Sequence, residues 1–449
     1  MRNPPAFVHA RKEVSKDVLG GVIVYVSLVA WLPRQEFAYI SPFLVFSFWF
    51  TYITLLDCGG LFLSRLLFWL VAFCCLFALA ATYGLLNGLS ILHPLMWLLT
   101  HGVLLMVVIG YRLSHSKALW GTALFIKANL FIGLAEVLVA WLQYAGSPGF
   151  RQSLAAGDYI VGTLGKNSHL FSMKMLVLFF ISLYTWKFFR KKGYLLLSLI
   201  FLETWLLGSA LHTVMVMFGA LGLYWFIFTS GAIKKLKLIL AISVLSGATI
   251  GVLLYQQGKN INYIVSMLSY AKTGIHDVPL GKIDAYYRTL LEVPSNEGLR
   301  VILFGFGPGG YASRASWLLS GSYLENQSYI PVVPSDPWEA YLQDLWNPTI
   351  VRQFVWRQGV ANQPFSTWLS ILGEFGIVGL GLFIWLLTRV LIRYHRAAAN
   401  HPNDPTAKIS IMIILLMAFS FLFDNWLEYP RLMMPIELFL TLTYQIVHP

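Results

Sequence analysis

From about residue 18 to residue 447 the chain is written mostly in apolar runs of roughly 20 residues, the length that crosses a hydrocarbon core of about 30 Å. Lipid offers no partner to backbone N–H and C=O, so such runs are helices. They fall near 18–32, 37–56, 63–86, 91–111, 118–144, 169–188, 194–208, 211–230, 238–256, 366–388, 409–424 and 431–447. The first follows Arg11, Lys12 and Lys16 and lacks a small-residue cleavage site, so it is read as a retained helix. The expected fold is all-α: a polytopic membrane protein of about twelve transmembrane helices.

Charge sets the topology. Lys and Arg precede the first run (Arg2, Arg11, Lys12, Lys16) and recur at alternate connections. The sets are Arg65; Arg112 and Lys117; Lys187, Arg190, Lys191 and Lys192; Lys234, Lys235 and Lys237; and Arg389, Arg393, Arg396 and Lys408. The intervening short loops carry only Arg34, Arg151, Lys166 and Arg431. Positive loops stay inside, which puts both termini in the cytoplasm and the connection between the ninth and tenth runs outside. The net charge of +12 therefore sits in short loops, and no basic face of the kind nucleic acid needs is present. Charged residues are only 12% of the chain, about half the soluble norm. Cys58, Cys74 and Cys75 lie in or beside apolar runs, so no disulfide framework is implied.

The chain divides into 1–256 (transmembrane helices 1–9), 257–365 (a periplasmic loop domain) and 366–449 (transmembrane helices 10–12). The loop is too long for a mere connection. It is punctuated by Pro279, Pro294, Pro308, Pro331, Pro334 and Pro337 and balanced in charge, with eight basic and eight acidic residues. Ile261, Ile264, Val265 and Leu268, like Trp338, Tyr341, Leu342 and Leu345, repeat at helical spacing and predict a small helical cap.

Gly305, Gly307, Gly309 and Gly310 give a G-rich segment that matches the letters of a dinucleotide fingerprint. No βαβ unit surrounds it and Pro308 interrupts it. It reads either as a turn needing positive φ or as a backbone segment a phosphate can approach. Arg288, Arg300 and Arg314 flank it, and Arg352 and Arg357 precede the tenth run. A guanidinium grips phosphate oxygens bidentately and keeps its charge, or it touches lipid headgroups and loop acids instead. Lys127, Glu136, Lys174, Glu203 and Glu374 are ionisable groups inside spans, placed either for interhelical pairing or for function. His212, at the outer end of a helical hairpin, is a candidate base or a structural histidine. Glu36, Asp336 and Glu339 are further carboxylates on the outer side. The sequence holds no Walker A segment, no HExxH and no close His/Cys cluster, so neither cofactor nor metal is expected.

Three segments together resemble the O-antigen polymerase and ligase superfamily of bacterial envelope glycosyltransferases. They are GTLGKNSH from Gly162 to His169, LFGFGPGGY from Leu303 to Tyr311, and STWLSILGEFGIVG from Ser366 to Gly379. The number of spans and the late outer loop are similar too, and Arg288 stands about where the family has an arginine. Two departures turn the reading from ligase towards polymerase. Phe365 occupies the position of a ligase histidine, and the hairpin of spans seven and eight reads SALHT from Ser209 to Thr213.

The resemblance implies an inverting, metal-independent transfer at the periplasmic face of the bacterial inner membrane. The donor would be an undecaprenyl-pyrophosphate-linked glycan and the acceptor a lipid-linked glycan. Membrane lipids and a chain-length regulator are the other implied partners. Arg288 and Arg300 are then expected to meet the leaving pyrophosphate, and Arg314, Arg352, Arg357, Lys166, Asn167 and the turn glycines to bind substrate. His212, Glu339 or Asp336 would be the base. Tyr286, Tyr287, Trp317, Trp338 and Trp346 either stack on sugars or pack the cap, and packing is the stronger reading. Transfer to lipid A core, as by a ligase, or transport by a flippase are the competing readings.

Overall fold

The structure, a computed structural model, describes residues 16–56, 60–110, 113–146, 160–165, 167–208, 211–228, 281–322, 330–346, 363–401 and 404–447, with isolated positions between 231 and 251. Among the described residues there is no strand. The bundle begins with α1 (Lys16–Val29), α2 (Gln35–Leu56), α3 (Gly60–Leu86), α4 (Leu92–Thr100), α5 (His115–Gly146), α6 (Ser168–Phe189), α7 (Lys192–Leu207) and α8 (Leu211–Phe228). Four short helices follow in the loop region: α9 (Gly281–Tyr287), α10 (Val293–Phe304), α11 (Arg314–Leu319) and α12 (Asp336–Tyr341). The chain then returns through α13 (Thr367–Asn400), α14 (Pro405–Ser420) and α15 (Pro430–Val447). Glu36–Thr54, His115–Gly146, Ser168–Phe189 and Thr367–Asn400 are each long and apolar enough to cross a membrane. Shorter apolar helices lie at Leu70–Leu86, His212–Phe228 and Pro405–Ser420. The protein is a helical, membrane-embedded one. The run expected at 238–256 and the stretch from Ile261 to Leu268 lie almost wholly outside the described residues.

α6 is the central helix, buried along most of its length against α5, α7, α8 and α14. Two of its hydroxyls are satisfied without water: Ser182 donates to the Leu178 carbonyl at 2.8 Å and Thr185 to that of Ile181 at 2.6 Å. That local bonding lets a helix carry polar side chains in an apolar core. The run at 91–111 differs from the continuous span expected of it. It is α4 followed by a 3-10 segment, Gly102–Gly110. At Gly102 a side chain would run into the Phe43 ring at 2.5 Å, so the glycine admits α2 at a distance no larger residue allows.

The GTLGKNSH stretch is a plug that ties the bundle's end together. The Gln143 side chain accepts from the amides of Val161 and Gly162, both at 3.0 Å, and donates to the Gly162 carbonyl at 2.8 Å. The Glu136 carboxylate takes both the amide and the hydroxyl of Thr163. Arg431 spans the carbonyls of Leu32 (2.9 Å), Pro33 (3.2 Å) and Leu164 (3.4 Å). Lys174 donates to the Ala30 carbonyl and lies 4.0 Å over the Trp31 ring. Of the ionisable groups inside the runs, Glu136 and Lys174 thus serve structure, while Glu203 is exposed on α7. Asn167 N-caps α6, accepting from the Leu170 amide at 2.8 Å. That is a structural role where substrate contact was expected.

The segment 281–346 has its own apolar core, centred on Phe365. Trp317 (4.2 Å), Trp338 (5.9 Å, stacked) and Trp346 (6.0 Å) surround its ring, with Tyr311, Leu342 and Leu345 beside them. Trp338, Tyr341, Leu342 and Leu345 are all buried, as their spacing predicts. Of the two roles open to them, Trp317, Trp338 and Trp346 thus take the stronger one and pack the cap.

Candidate functional site

The glycine segment and the start of α13 interlock. Gly305 (φ 73°), Gly307 (φ 102°), Gly309 (φ 76°) and, facing them, Gly376 (φ 65°) have left-handed backbones. The Phe306 amide donates to the Gly373 carbonyl at 2.8 Å and the Gly307 amide to that of Glu374 at 2.9 Å. The buried Glu374 carboxylate accepts from the amides of Gly309, Tyr311 and Ser313 and from the Ser313 hydroxyl. A Cβ on Gly307 would lie 2.6 Å from the Gly84 Cα, and one on Gly309 would strike the His93 carbonyl. Gly305, Gly307 and Gly309 are buried, and their turn spends its amides on a carboxylate of the same chain. This overturns the phosphate-cradle reading: the anion in the nest is Glu374.

The arginines around this turn have different fates. Arg288 sits in a π-helical turn (Arg288–Glu292), its fork closed on Asp344 at 2.6 and 2.7 Å, with one nitrogen also 2.9 Å from the Tyr341 carbonyl. The Asp344 hydrogen bonds raise its pKa further. The guanidinium expected on pyrophosphate is thus engaged inside the cap. Arg314 is 3% exposed and lies 4.1 Å over the Tyr429 ring, while its amide donates to Glu428 at 2.7 Å. Burial, reinforced by the charge of Glu374, pushes the Glu428 carboxyl well above the usual carboxylate range. Arg300 is exposed, its guanidinium 4.8 Å over the Tyr83 ring, a cation–π contact that leaves its N–H edge available. Arg352, Arg357 and Lys166 lie outside the described residues.

Under the cap is a cluster of another kind. His212, in the first turn of α8, is 7% exposed. Its ring packs on His169 (4.8 Å), Phe423 (6.0 Å) and Trp426 (6.4 Å, stacked). Its Nε2 is buried and has no hydrogen-bond partner among the described residues. The charge of Lys282 of α9 also acts on it, after that of His169. Lys282 is buried too, and donates to the carbonyls of Phe365 and of Phe423 (2.8 Å for the latter). That uses two of the three N–H groups of an ammonium. Burial lowers its pKa to about 7, against the pull of Asp424, so it is poised between ammonium and amine at neutral pH. Tyr286 closes one side, its hydroxyl 2.8 Å from that of Ser366.

A neutral imidazole with an open nitrogen can take a proton, and an ammonium beside it can meet a developing negative charge. Neither Asp336 nor Glu339 belongs to this cluster. Both are exposed on α12 and neither bonds to it, so of the three candidates only His212 lies in the cluster. Glu36 is likewise exposed, in the first turn of α2. Lys282, His169 and Asp424 were not legible as site residues. A lone lysine in a polar loop carries no spacing signal, and only the fold buries it. No family model matches the chain, and no curated protein matches it significantly.

Proposed function

We propose that the chain is an inner-membrane glycosyltransferase of the polymerase type, crossing the bilayer about twelve times with the cap on the periplasmic side. It moves a glycan from undecaprenyl pyrophosphate to a sugar hydroxyl of a lipid-linked acceptor. The observation that carries this reading is the buried His212 with its open Nε2 beside Lys282, roofed by a cap that also bears Arg300. The three segments that carry the family resemblance touch this cluster or one another. His169 ends the first and touches His212; the second and third are locked together by backbone hydrogen bonds; and Ser366, opening the third, meets Tyr286.

In the proposed reaction the acceptor hydroxyl gives its proton to His212 Nε2 while its oxygen attacks the anomeric carbon from the face opposite the leaving group. The bond from that carbon to the pyrophosphate oxygen breaks, and the electron pair leaves on lipid pyrophosphate. Arg300 grips the pyrophosphate, Lys282 supplies nearby positive charge, and Arg288 positions the cap through Asp344.

Purified protein with a lipid-linked repeat unit tests this. Arg300→Lys should cut transfer about 10- to 150-fold, the worth of a charge-assisted hydrogen bond of about 1.5–3 kcal/mol expressed in the transition state. Arg288→Lys should lower thermal stability as well as rate. A ladder of carrier-linked chains is the expected product; a single transfer onto lipid A core would make the protein a ligase. Full activity in Arg300→Lys would remove that residue from the site.

The orientation has its own test. Alkaline phosphatase fused after Gly321 should be active, and a fluorescent protein at the C-terminus should fluoresce. An inactive phosphatase there would put the cap, and the site beneath it, in the cytoplasm.

A further inference from the structure

His169 and Thr185 are 16 residues apart on α6, about 24 Å at 1.5 Å per residue, so the two ends of this helix serve separate regions. At the end away from His212 a cleft of about 670 Å³ opens between α5, the last turn of α6, the start of α7 and the connection from α13 to α14. That volume is in the range of ligand pockets, about 300–1,000 Å³. Its wall is mainly apolar, with Leu119, Ile126, Phe188 and Phe439 among the lining residues.

Among the polar residues that break that wall, which include Asn400 and His401, two come from α5. Thr122 is 8% exposed, and its buried hydroxyl has no hydrogen-bond partner among the described residues. Lys127 is a cation on a membrane-spanning helix, and no hydrogen bond or ion pair holds it among the described residues. Asp404, at the rim, is committed elsewhere: its carboxylate caps α14 by accepting from the Thr406 amide at 2.8 Å. A cation in hydrocarbon is costly unless an anion joins it. Side chains lean towards the start of their helix, and a lysine stem extends towards the polar boundary. The ammonium is therefore directed towards the rim, where Arg190, Lys191 and Lys192 connect the lining residues Phe189 and Tyr194.

We propose that this cleft binds one anionic phospholipid, an acyl chain along the apolar wall and the phosphate on Lys127 and the Thr122 hydroxyl. A free anion would leave the apolar wall uncovered. A zwitterionic headgroup would bring its own cation to a rim already basic. The proposal stands apart from the transfer reaction.

Native mass spectrometry of the delipidated full-length protein in detergent tests it. Phosphatidylglycerol, phosphatidylcholine with the same chains, and inorganic phosphate are titrated separately and in competition. One phosphatidylglycerol should stay bound per chain, at least 10-fold more tightly than phosphatidylcholine. Lys127→Gln should remove that preference, Lys127→Arg should keep it, and Thr122→Val should weaken it a few-fold. Ala123→Trp fills the cleft from a lining position and should block binding with Lys127 intact, so the test stands even where Lys127→Gln fails to fold. Equal affinity for the two lipids, undiminished binding in folded Lys127→Gln or Ala123→Trp, or displacement of the lipid by millimolar phosphate would overturn the proposal.

Discussion

His212→Gln is expected to lower transfer by about 10²- to 10⁴-fold, the usual contribution of a general base, with the protein still folded. The ring touches His169, Phe423 and Trp426 by packing and its Nε2 bonds to no described residue, so glutamine removes the base without orphaning a partner. The pH profile separates this role from a structural one. Lys282 is held at about 7 in the folded protein by burial and returns to its ordinary value near 10.4 on unfolding. Between those values the unfolded chain binds the extra proton, so this group makes stability rise with pH, from about 7 upward. Transfer should do the reverse, because the ammonium that meets developing charge is lost over the same range. Rate falling while the melting temperature holds or rises is the expected signature. Lys282→Arg should move the fall to higher pH, because a guanidinium stays charged. A rate unchanged in His212→Gln, or a pH profile that tracks the melting temperature, would remove this pair from the chemistry.

The helical, membrane-embedded character was legible from length and apolarity alone, because lipid leaves the backbone no other solution. Trp338, Tyr341, Leu342 and Leu345 showed a buried helical face for the same kind of reason: their spacing repeats with the helix. Glycine conformation was legible in the letters of the segment from Gly305 to Gly310, but its partner was not. That the anion in the nest is Glu374 follows from a contact 63 residues away, which no local pattern encodes. Arg288 misled for a related reason. Its chemistry suits phosphate and carboxylate equally, and only the fold brings Asp344 to it. His212 stood out because it is a histidine at a helix end, whereas Lys282 is one of three loop lysines, with no pattern around it, until burial makes it unusual. The change from α4 to the 3-10 segment does not interrupt the apolar run, so hydropathy alone reads 91–111 as one continuous span.

The largest effect on folding is expected at the joint between the glycine turn and α13, and a pair of substitutions isolates it. Gly305 (φ 73°, ψ −162°) and Gly298 (φ 76°, ψ −178°) have nearly the same backbone, in a region that only glycine adopts freely, so alanine costs each about 1–3 kcal/mol of backbone strain. Their surroundings differ completely. Around a Cβ on Gly298 there is nothing within 4 Å, whereas one on Gly305 would be driven into the Glu374 peptide group, backbone that cannot rotate away. Overpacking of this kind adds about 1–3 kcal/mol or more. It would also pull the Gly307 amide off the Glu374 carbonyl and loosen the nest around the Glu374 side chain, leaving a buried carboxyl group with fewer donors. Gly305→Ala should therefore fail to give a monodisperse peak in size-exclusion chromatography with fluorescence detection. Gly298→Ala should elute as wild type, with a melting temperature lower by a few degrees. Gly376→Ala meets the Leu303 carbonyl from the other side of the joint and should behave like Gly305→Ala. If Gly305→Ala and Gly298→Ala are equally mild, the turn does not lock against α13, and its amides become available again for a phosphate.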